Sequence, residues 1–250
     1  MDPRTSLKLL VAGDGPPVIP HLAVDCAILG FHEGELKVLL LRWHGLEGWS
    51  LPGGFVGMDE PLDRAAERVL RERTGLDQIY LQQFHAFGDT DRHEDDIIPA
   101  FRAFGVEVPR DHWLLRRVVS VAYVALVDFV RATPTPNAHS AECRWWTLSD
   151  CPTLLFDHQA IVARALDALR AQLDTMPIVS SLLPETFAMP ELQRLYETVL
   201  GRSLDRRNFQ RRMLDLGLVK RVRETRRRAG RVGRPGHLYR WVRSEAGGRR

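Results

Sequence analysis

The pattern of apolar residues in the first two thirds of the chain predicts a β-sheet domain that also contains helices. Residues 21–30 and 36–43 are rich in Val, Ile and Leu and flank a polar turn with a glycine, which is typical of a β-hairpin. Further strands are predicted at residues 79–87, 118–130 and 144–148. The segment at residues 89–117 is long and polar at first, which predicts either an excursion loop or a functional lid.

Apolar side chains at three- and four-residue steps predict two helices in the same part of the chain. A loop rich in glycine, at residues 47–57, leads into a helix over residues 60–73 that ends at Gly75. A second helix is predicted over residues 157–173, and Asp157 is expected to cap its N-terminus.

The chain beyond residue 177 has a different pattern, which predicts a second domain. A helix that begins near Pro190 ends at Gly201, and Ser203 or Asp205 caps the helix that follows. Two strands are then predicted at residues 218–222 and 237–242, around a hairpin rich in arginine and glycine. Helix, turn, helix and basic β-hairpin are the elements of a winged helix-turn-helix domain.

The charge of the chain divides at the same place. The formal net charge of +3 combines residues 1–177, with 17 Lys and Arg against 25 Asp and Glu, and residues 178–250, with 18 against 7. The net charges of the two parts are therefore −8 and +11. An acidic domain joined to a basic one is typical of a regulator or a processing enzyme with a nucleic-acid-binding end. A basic tail that only aids solubility is the alternative.

Composition excludes several classes of protein. With 250 residues of which 44% are hydrophobic, the chain can bury a core and is not mainly disordered. No apolar run approaches the roughly 18 residues of a membrane span, and the N-terminal apolar patch is too short for an export signal. Three cysteines without metal-type spacing argue against a disulfide framework and a zinc site. We therefore expect a cytoplasmic protein without a membrane partner.

The second predicted helix of the basic domain has the side chains of a DNA-reading helix. On a helical wheel, Met213 and Leu216 fall near Phe209 and define a buried face. The opposite face carries arginine and amide side chains, which can bind base edges in the major groove, while flanking arginines hold phosphates. The predicted DNA-binding residues are Arg206, Arg207, Asn208, Gln210 and Arg211 on the helix and Arg227, Arg228 and Arg234 in the wing. An ordinary solvated basic face is the alternative.

Residues 51–76, which read LPGGFVGMDEPLDRAAERVLRERTGL, resemble a known motif. They are similar to the Nudix box, in which Gly, five residues, Glu and seven residues precede Arg-Glu-U-x-Glu-Glu-x-Gly-U, where U is apolar. The residues in register are Gly54, Glu60, Arg68, Leu70, Glu72, Gly75 and Leu76.

The box departs from the family pattern at the glutamates that hold magnesium against a diphosphate. Val69 and Arg73 replace two of them, and Glu72 alone remains as the expected metal ligand. We therefore expect weak or absent hydrolysis and no required cofactor, with residual Mg²⁺ binding as the remaining option. In this interpretation, Arg73 pairs directly with a phosphate that a metal would otherwise neutralise.

The chain from about His21 to Val242 resembles the Nudix-related transcriptional regulators. The resemblance rests on the degenerate box, on Phe87-Gly88-Asp89 with Arg92, and on residues 117–123, 155–158 and 234–240. It implies an α+β fold class, in which a Nudix α/β/α sandwich with a mixed sheet is followed by a smaller winged helix-turn-helix domain. The expected domains are an effector-sensing domain at residues 18–173 and a DNA-binding domain at residues 178–243.

The same resemblance implies a function. Proteins of this kind are cytoplasmic homodimers that bind palindromic double-stranded DNA operators, mostly as repressors. Their Nudix domain senses a small molecule, which is ADP-ribose or another NAD metabolite in one branch and a sugar derivative in others. The ligand-binding residues expected on this basis are Arg42, Trp49, Gly53, Gly54, Arg68, Glu72, Arg73, Phe87, Asp89 and Arg92.

Two other functions remain open at this stage. The first is an active Nudix pyrophosphohydrolase that acts on ADP-ribose or a related nucleoside diphosphate derivative, with a basic end that only localises it. The second is an RNA-processing hydrolase, which fits the charge but lacks stacking aromatic residues in the basic domain. The expectation that ranks first is a ligand-responsive DNA-binding regulator without efficient hydrolysis.

Overall fold

The first part of the chain folds around a mixed sheet. The computed structural model describes residues 2–11, 18–76, 80–90, 92, 97–173, 182–226 and 236–242. The strands are β1 (Val18–His32), β2 (Glu35–Trp43), β3 (Gly53–Gly57), β4 (Leu81–Phe87), β5 (Val119–Val127) and β6 (Ser140–Thr147). Five of them lie in the order β4-β5-β1-β2-β6, and β3 pairs with β1. The central strands β1 and β5 are parallel, and the other pairs are antiparallel.

Helices cover both faces of this sheet. They are α1 (Pro3–Val11), α2 (Leu62–Thr74), α3 (Ile98–Ala103) and α4 (His158–Gln172). Side chains on a strand alternate between faces, so Cys26 and Ile28 of β1 pack in the cluster that includes α2, while Ala27 and Leu29 pack in the cluster that includes α4. The expected three-layer sandwich with a mixed sheet is confirmed.

Three features of the first part differ from the sequence prediction. The second half of the expected loop at residues 47–57 is the strand β3, since its backbone pairs with β1 from Ala23 to Asp25. The segment at residues 89–117 contains α3 and a short 3-10 turn. The N-terminal helix α1 was not predicted from the sequence, and it packs through Leu7 against Phe101 and Leu114 of that segment.

Two adjacent glycines of β3 are packed very differently, which gives a test of this architecture. A Cβ atom at Gly53 would overlap Oδ1 of Asp25 and lie 2.8 Å from the Val24 carbonyl oxygen. Among the described residues, a Cβ at Gly54 would meet only Val69, at 3.8 Å. We expect Gly53→Ala to lower the free energy of unfolding by about 1–3 kcal/mol and Gly54→Ala to change it by less than about 0.5 kcal/mol. Equal urea midpoints for the two variants would contradict the described packing.

The second part of the chain forms a small domain with a three-stranded sheet. Its elements are β7 (Phe187–Ala188), α5 (Met189–Leu200), α6 (Arg206–Asp215), β8 (Val219–Arg226) and β9 (Gly236–Trp241), and the strands lie in the order β7-β9-β8. Gly201, with a φ of 68°, ends α5, and Asp205 caps α6 by accepting a hydrogen bond from the Asn208 amide. This is the expected order of helices and wing.

One residue of the expected buried face of α6 is wrongly assigned. Phe209 and Met213 are buried as predicted, but Leu216 is 48% exposed. Leu216 is the C-cap of α6, one residue past the end of the helix at Asp215, and it lies beyond the part of this face that Phe209 and Met213 bury.

The two domains share one hydrophobic cluster. It continues from Leu29 and Leu40 of the sheet through Ile161 and Leu169 of α4 to Leu195 of α5. Polar contacts reinforce this junction: Thr198 donates a hydrogen bond to the Gly34 carbonyl at 3.0 Å, and Tyr196 donates one to the Leu173 carbonyl at 2.8 Å. The expected domain boundary near Pro177 lies outside the described residues. Among the described helices, none has the length and apolar character needed to cross a membrane.

Candidate functional site

A cavity of about 520 Å³ opens at the end of the sheet where β3 pairs with β1. Its walls come from β3, from α2 and the loop before it, and from the N-terminal end of α4. Leu7 and Leu10 of α1 and Phe101 of α3 also line it, so the segment at residues 89–117 does contribute to the covering of the cavity. The volume falls in the range of small-molecule sites.

An ion pair anchors the loop before α2. Arg68 donates from Nε and Nη2 to the two carboxylate oxygens of Glu60 at 2.9 and 3.0 Å, and Nη2 also donates to the Phe55 carbonyl at 3.1 Å. Glu60 accepts a further hydrogen bond from the Gly57 amide. The hydrogen bond from Arg68 holds the pKa of Glu60 below its ordinary value of 4.5. Both side chains line the cavity, but their first role is to fix this loop.

The lowered pKa of Glu60 makes its contribution to stability depend on pH. The folded state favours the charged form, so the contribution is complete above pH 4.5 and is lost as the pH falls through the lower folded-state pKa. We expect Glu60→Gln to lower the free energy of unfolding by about 1 kcal/mol at pH 7, because a charge-assisted hydrogen bond is lost. The difference from wild type should shrink below pH 4.5 in denaturant titrations, and a difference that is constant down to pH 3 would contradict this assignment.

Arg73 places a buried cation in the wall of the cavity. Only 5% of its side chain is exposed, and its nearest carboxylate is Glu72, whose Oε2 lies 3.5 Å from Nη2. Nε of Arg73 has no hydrogen-bond partner among the described residues. Burial lowers the pKa of the guanidinium, and Glu72 opposes this shift only in part. A guanidinium in the wall of a cavity is suited to pair with an anionic ligand.

The donors around the cavity do not suit the magnesium ion that the Nudix box implies. Val69 packs in the core with 1% exposure, and Arg73 occupies the second missing glutamate position. Of the two glutamates in the cavity wall, Glu60 is bound to Arg68, and Glu72 lies within 3.9 Å of both Arg68 and Arg73. Among the described residues, no group of three His, Cys, Asp or Glu side chains could hold a metal. The chemistry available at this site is anion binding by guanidinium groups.

A buried polar network forms another part of the cavity wall, and neither Asp25 nor His158 was assigned to it from the sequence. Arg92 lies 3.3 Å from Oδ2 of Asp25 and donates to Oδ2 of Asp157 and to the Val118 carbonyl, both at 2.7 Å. Nδ1 of His158 accepts a hydrogen bond from the Leu51 amide. Asp157 occupies the expected N-cap position of α4, but its side chain makes no capping hydrogen bond, and its Oδ2 is bound by Arg92.

Neighbouring polar and charged side chains stabilise the central carboxylate of this network, Asp25. Burial alone would raise the pKa of Asp25, but His158 and Arg92 hold it below the ordinary value, with a hydrogen bond from Ser120 in support. Nε2 of His158 lies 3.5 Å from Oδ1 of Asp25. The signal in the sequence was Asp25 itself, which interrupts an otherwise apolar strand.

The structure brings together six of the ten expected ligand-binding residues and separates four. Those in the cavity wall are Gly53, Gly54, Arg68, Glu72, Arg73 and Arg92. Those that do not line this cavity are Arg42, Trp49, Phe87 and Asp89. Trp49 is buried with its ring 5.2 Å from that of Trp146, so its expected contact with the ligand is not supported by the described packing. Arg42 pairs with Glu142 across β2 and β6, and Phe87 packs on the hydrophobic cluster.

The exposed face of α6 carries four of the eight expected DNA-binding side chains. Arg206, Arg207, Asn208 and Arg211 are exposed, and Arg211 donates to Oδ1 of Asn208 at 3.1 Å. Gln210 differs, since it is half-buried and donates to the Tyr239 hydroxyl of β9 at 3.3 Å. The expected wing residues Arg227, Arg228 and Arg234 lie outside the described residues.

Both parts of the chain match known protein families. Residues 19–169 match the NUDIX domain family, and residues 179–241 match the NrtR DNA-binding winged helix domain. The chain belongs to the Nudix-related transcriptional regulators. It is 33% identical to the ADPR responsive transcriptional repressor NtrR of Acinetobacter baylyi, over 89% of this chain and 82% of the relative.

Solved structures agree with membership of this family. The NrtR of Shewanella oneidensis, in a crystal structure complexed with a 27mer DNA, is 27% identical with a TM-score of 0.67, over 88% of this chain and 93% of that chain. A more distant relative is the ADP-ribose pyrophosphatase of Methanocaldococcus jannaschii, 27% identical over 64% of this chain and 83% of the relative. Similarity to the regulators therefore extends over both domains, whereas similarity to the pyrophosphatase covers a smaller share of the chain.

Proposed function

We propose that the chain is an ADP-ribose-responsive transcriptional repressor that acts in the cytoplasm as a homodimer on a double-stranded DNA operator. The sensor is the domain at residues 18–173, and the reader is the domain at residues 178–243. Similarity over both domains to a relative named for its response to ADPR supports the nature of the effector. Unlike a neutral sugar, ADP-ribose carries a diphosphate that can pair with guanidinium groups.

The observation that carries the proposal is the buried guanidinium of Arg73. Its Nε lacks a partner among the described residues, and it lies at a position where hydrolases of this family have a metal-binding glutamate. Arg73 can bind the diphosphate directly, with Arg68 nearby as a second guanidinium. The remaining lining residues assigned to the ligand are Gly53, Gly54, Glu72 and Arg92. A site of this kind holds the ligand without activating water for its hydrolysis.

The reader is assigned to the exposed face of α6. Arg206, Arg207, Asn208 and Arg211 face away from the buried Phe209 and Met213, so the helix can lie in a major groove. We assign Gln210 a supporting role between helix and wing, because its amide is bound to Tyr239. The wing arginines Arg227, Arg228 and Arg234 remain assigned to the DNA backbone.

A calorimetric panel tests the effector assignment. The full chain is titrated in EDTA with ADP-ribose, AMP, ribose 5-phosphate and ribose, and the mixture with ADP-ribose is then analysed for released AMP. We expect ADP-ribose to bind most tightly of the four and to be recovered intact when Mg²⁺ replaces EDTA. Release of AMP at ordinary enzyme rates with Mg²⁺ would favour the alternative function, a pyrophosphohydrolase. Tighter binding of ribose than of ADP-ribose would instead assign a sugar effector.

A further inference from the structure

The N-terminus of α4 is held by side chains that also form the wall of the cavity. Asp25, Arg92 and His158 line the cavity, and all three belong to the buried network that ends on α4. The amide of Leu51, two residues before β3, donates to Nδ1 of His158 at 2.9 Å. A ligand in the cavity therefore contacts the groups that set the position of this helix end.

The connection immediately before α4 is conformationally strained. Phe156 also lines the cavity and has a φ of 57°, in the left-handed region that residues with a β-carbon rarely adopt. Next to it, Oδ1 of Asp157 is buried without a hydrogen-bond partner among the described residues, although Oδ2 is bound by Arg92. The connection before α4 thus combines a strained backbone with a carboxylate oxygen that lacks a partner among the described residues. A small change in the cavity wall can therefore alter the preferred position of the N-terminal end of α4.

The C-terminal end of the same helix holds the reader domain. Nε of Arg170 donates to the Val199 carbonyl of α5 at 2.8 Å, and the Tyr196 hydroxyl of α5 donates to the Leu173 carbonyl at 2.8 Å. Leu169 and Leu195 belong to the hydrophobic cluster that both domains share. A helix of 15 residues moves as a rigid unit of about 22 Å, so a shift at its first turn is transmitted to α5.

We propose that α4 is the coupling element of the regulator, with Arg92, Asp157 and His158 as positioning residues at the cavity and with Arg170 and Tyr196 as its links to the reader. The proposal rests on the proposed function, since it describes how ligand in the sensor changes the placement of α6 on DNA. Ligand binds better to one arrangement of the network, and the equilibrium between DNA-competent and DNA-incompetent arrangements shifts accordingly. In a homodimer, the spacing of two copies of α6 would change with it.

The test measures a coupling factor, defined as the DNA dissociation constant at saturating ADP-ribose divided by that without ligand. The duplex is one selected from a random pool with the full-length wild-type protein. Tyr196→Phe and Arg170→Met each remove one hydrogen bond of the junction, far from the cavity wall and from the exposed face of α6. We expect each to lower the coupling factor about fivefold, as loss of one hydrogen bond implies, while both separate affinities stay within about twofold of wild type.

Two further variants make the test specific. Asp157→Asn weakens the bond to Arg92 at the other end of α4 without altering a side chain of the cavity wall, and it is expected to lower the coupling factor as well. Arg164→Met removes an exposed arginine from the middle of the same helix and should leave the factor unchanged. Wild-type coupling in Tyr196→Phe, Arg170→Met and Asp157→Asn would overturn the proposal. Absence of any response to ADP-ribose in the wild type would overturn the proposed function itself.

Hydrogen exchange on the wild type provides a readout that does not depend on variants. We expect ADP-ribose to change exchange at the Leu51 amide, in the first turn of α4 and in α5, because the network and the junction respond together. Changes confined to β3 and α2 would show that ligand is bound without movement of the coupling element, and they would contradict the proposal.

Discussion

Exchange of Arg73 for Met is expected to weaken ADP-ribose binding about 10- to 100-fold in calorimetric titrations, since a charge-assisted bond to a phosphate is worth about 1.5–3 kcal/mol. Met retains most of the apolar volume of the arginine stem but cannot donate to a phosphate. Because the guanidinium of Arg73 is buried with an unpartnered Nε among the described residues, its loss should leave the free energy of unfolding unchanged or raise it. Weaker ligand binding without loss of stability is the signature of a binding residue.

A neighbouring arginine provides the control for this variant. Arg71 lies two residues earlier on α2 and is exposed, so Arg71→Met removes the same charge from the same helix without touching the cavity wall. We expect ADP-ribose to bind Arg71→Met with wild-type affinity, and to bind wild type equally well in EDTA and in Mg²⁺. Loss of wild-type binding in EDTA would mean that a metal, and not Arg73, neutralises the diphosphate.

The double exchange Arg207→Ala and Arg211→Ala is expected to weaken binding to a selected duplex by at least about 100-fold, because a bidentate contact to a base is worth about 1–3 kcal/mol. Both side chains are exposed on α6, and neither contributes to the buried face formed by Phe209 and Met213. Thermal unfolding should therefore remain close to that of wild type. Fluorescence anisotropy at several salt concentrations measures both the affinity and the number of phosphates neutralised.

A control variant that loses the same charge from other helices distinguishes a specific DNA interface from general electrostatic attraction to DNA. The control Arg71→Ala with Arg164→Ala also removes two positive charges, but from exposed positions on the sensor helices α2 and α4. We expect it to change DNA affinity by less than about threefold at physiological salt, where charges distant from the DNA are screened. An equal loss of affinity in the two double variants would contradict the assignment of α6 as the reading helix.

Local patterns in the sequence were sufficient for most of the secondary structure. The β1–β2 hairpin and α5 follow from apolar periodicity and from the turn or capping residues at their ends, all of which act over a few residues. Arg73 was identified as a candidate because the box fixes the spacing of its positions. Helix α1 escaped prediction because nine residues are marginal as an isolated helix, and its stability comes from Leu7 packing on a distant segment.

Residues of the site that depend on long-range contacts were harder to predict. Trp49 was expected to bind the ligand, but Trp146 and the guanidinium of Arg144 cover it, and nothing near Trp49 in the sequence indicates this contact. The pairing of Arg92 with Asp25 joins residues 67 positions apart. Tertiary packing therefore decided which polar residues face the cavity. The Nudix box predicted only the part of the cavity wall that α2 contributes.

Titration of the protein–DNA complex with ADP-ribose in EDTA tests the central claim most directly. The wild-type chain is bound to its selected duplex, and fluorescence anisotropy follows the DNA as ADP-ribose is added without metal. We predict release of the DNA by intact ADP-ribose, and release only at about 10- to 100-fold higher concentration from Arg73→Met. DNA that stays bound at ADP-ribose concentrations that saturate the free protein, or release that requires Mg²⁺ and accompanies formation of AMP, would contradict the account.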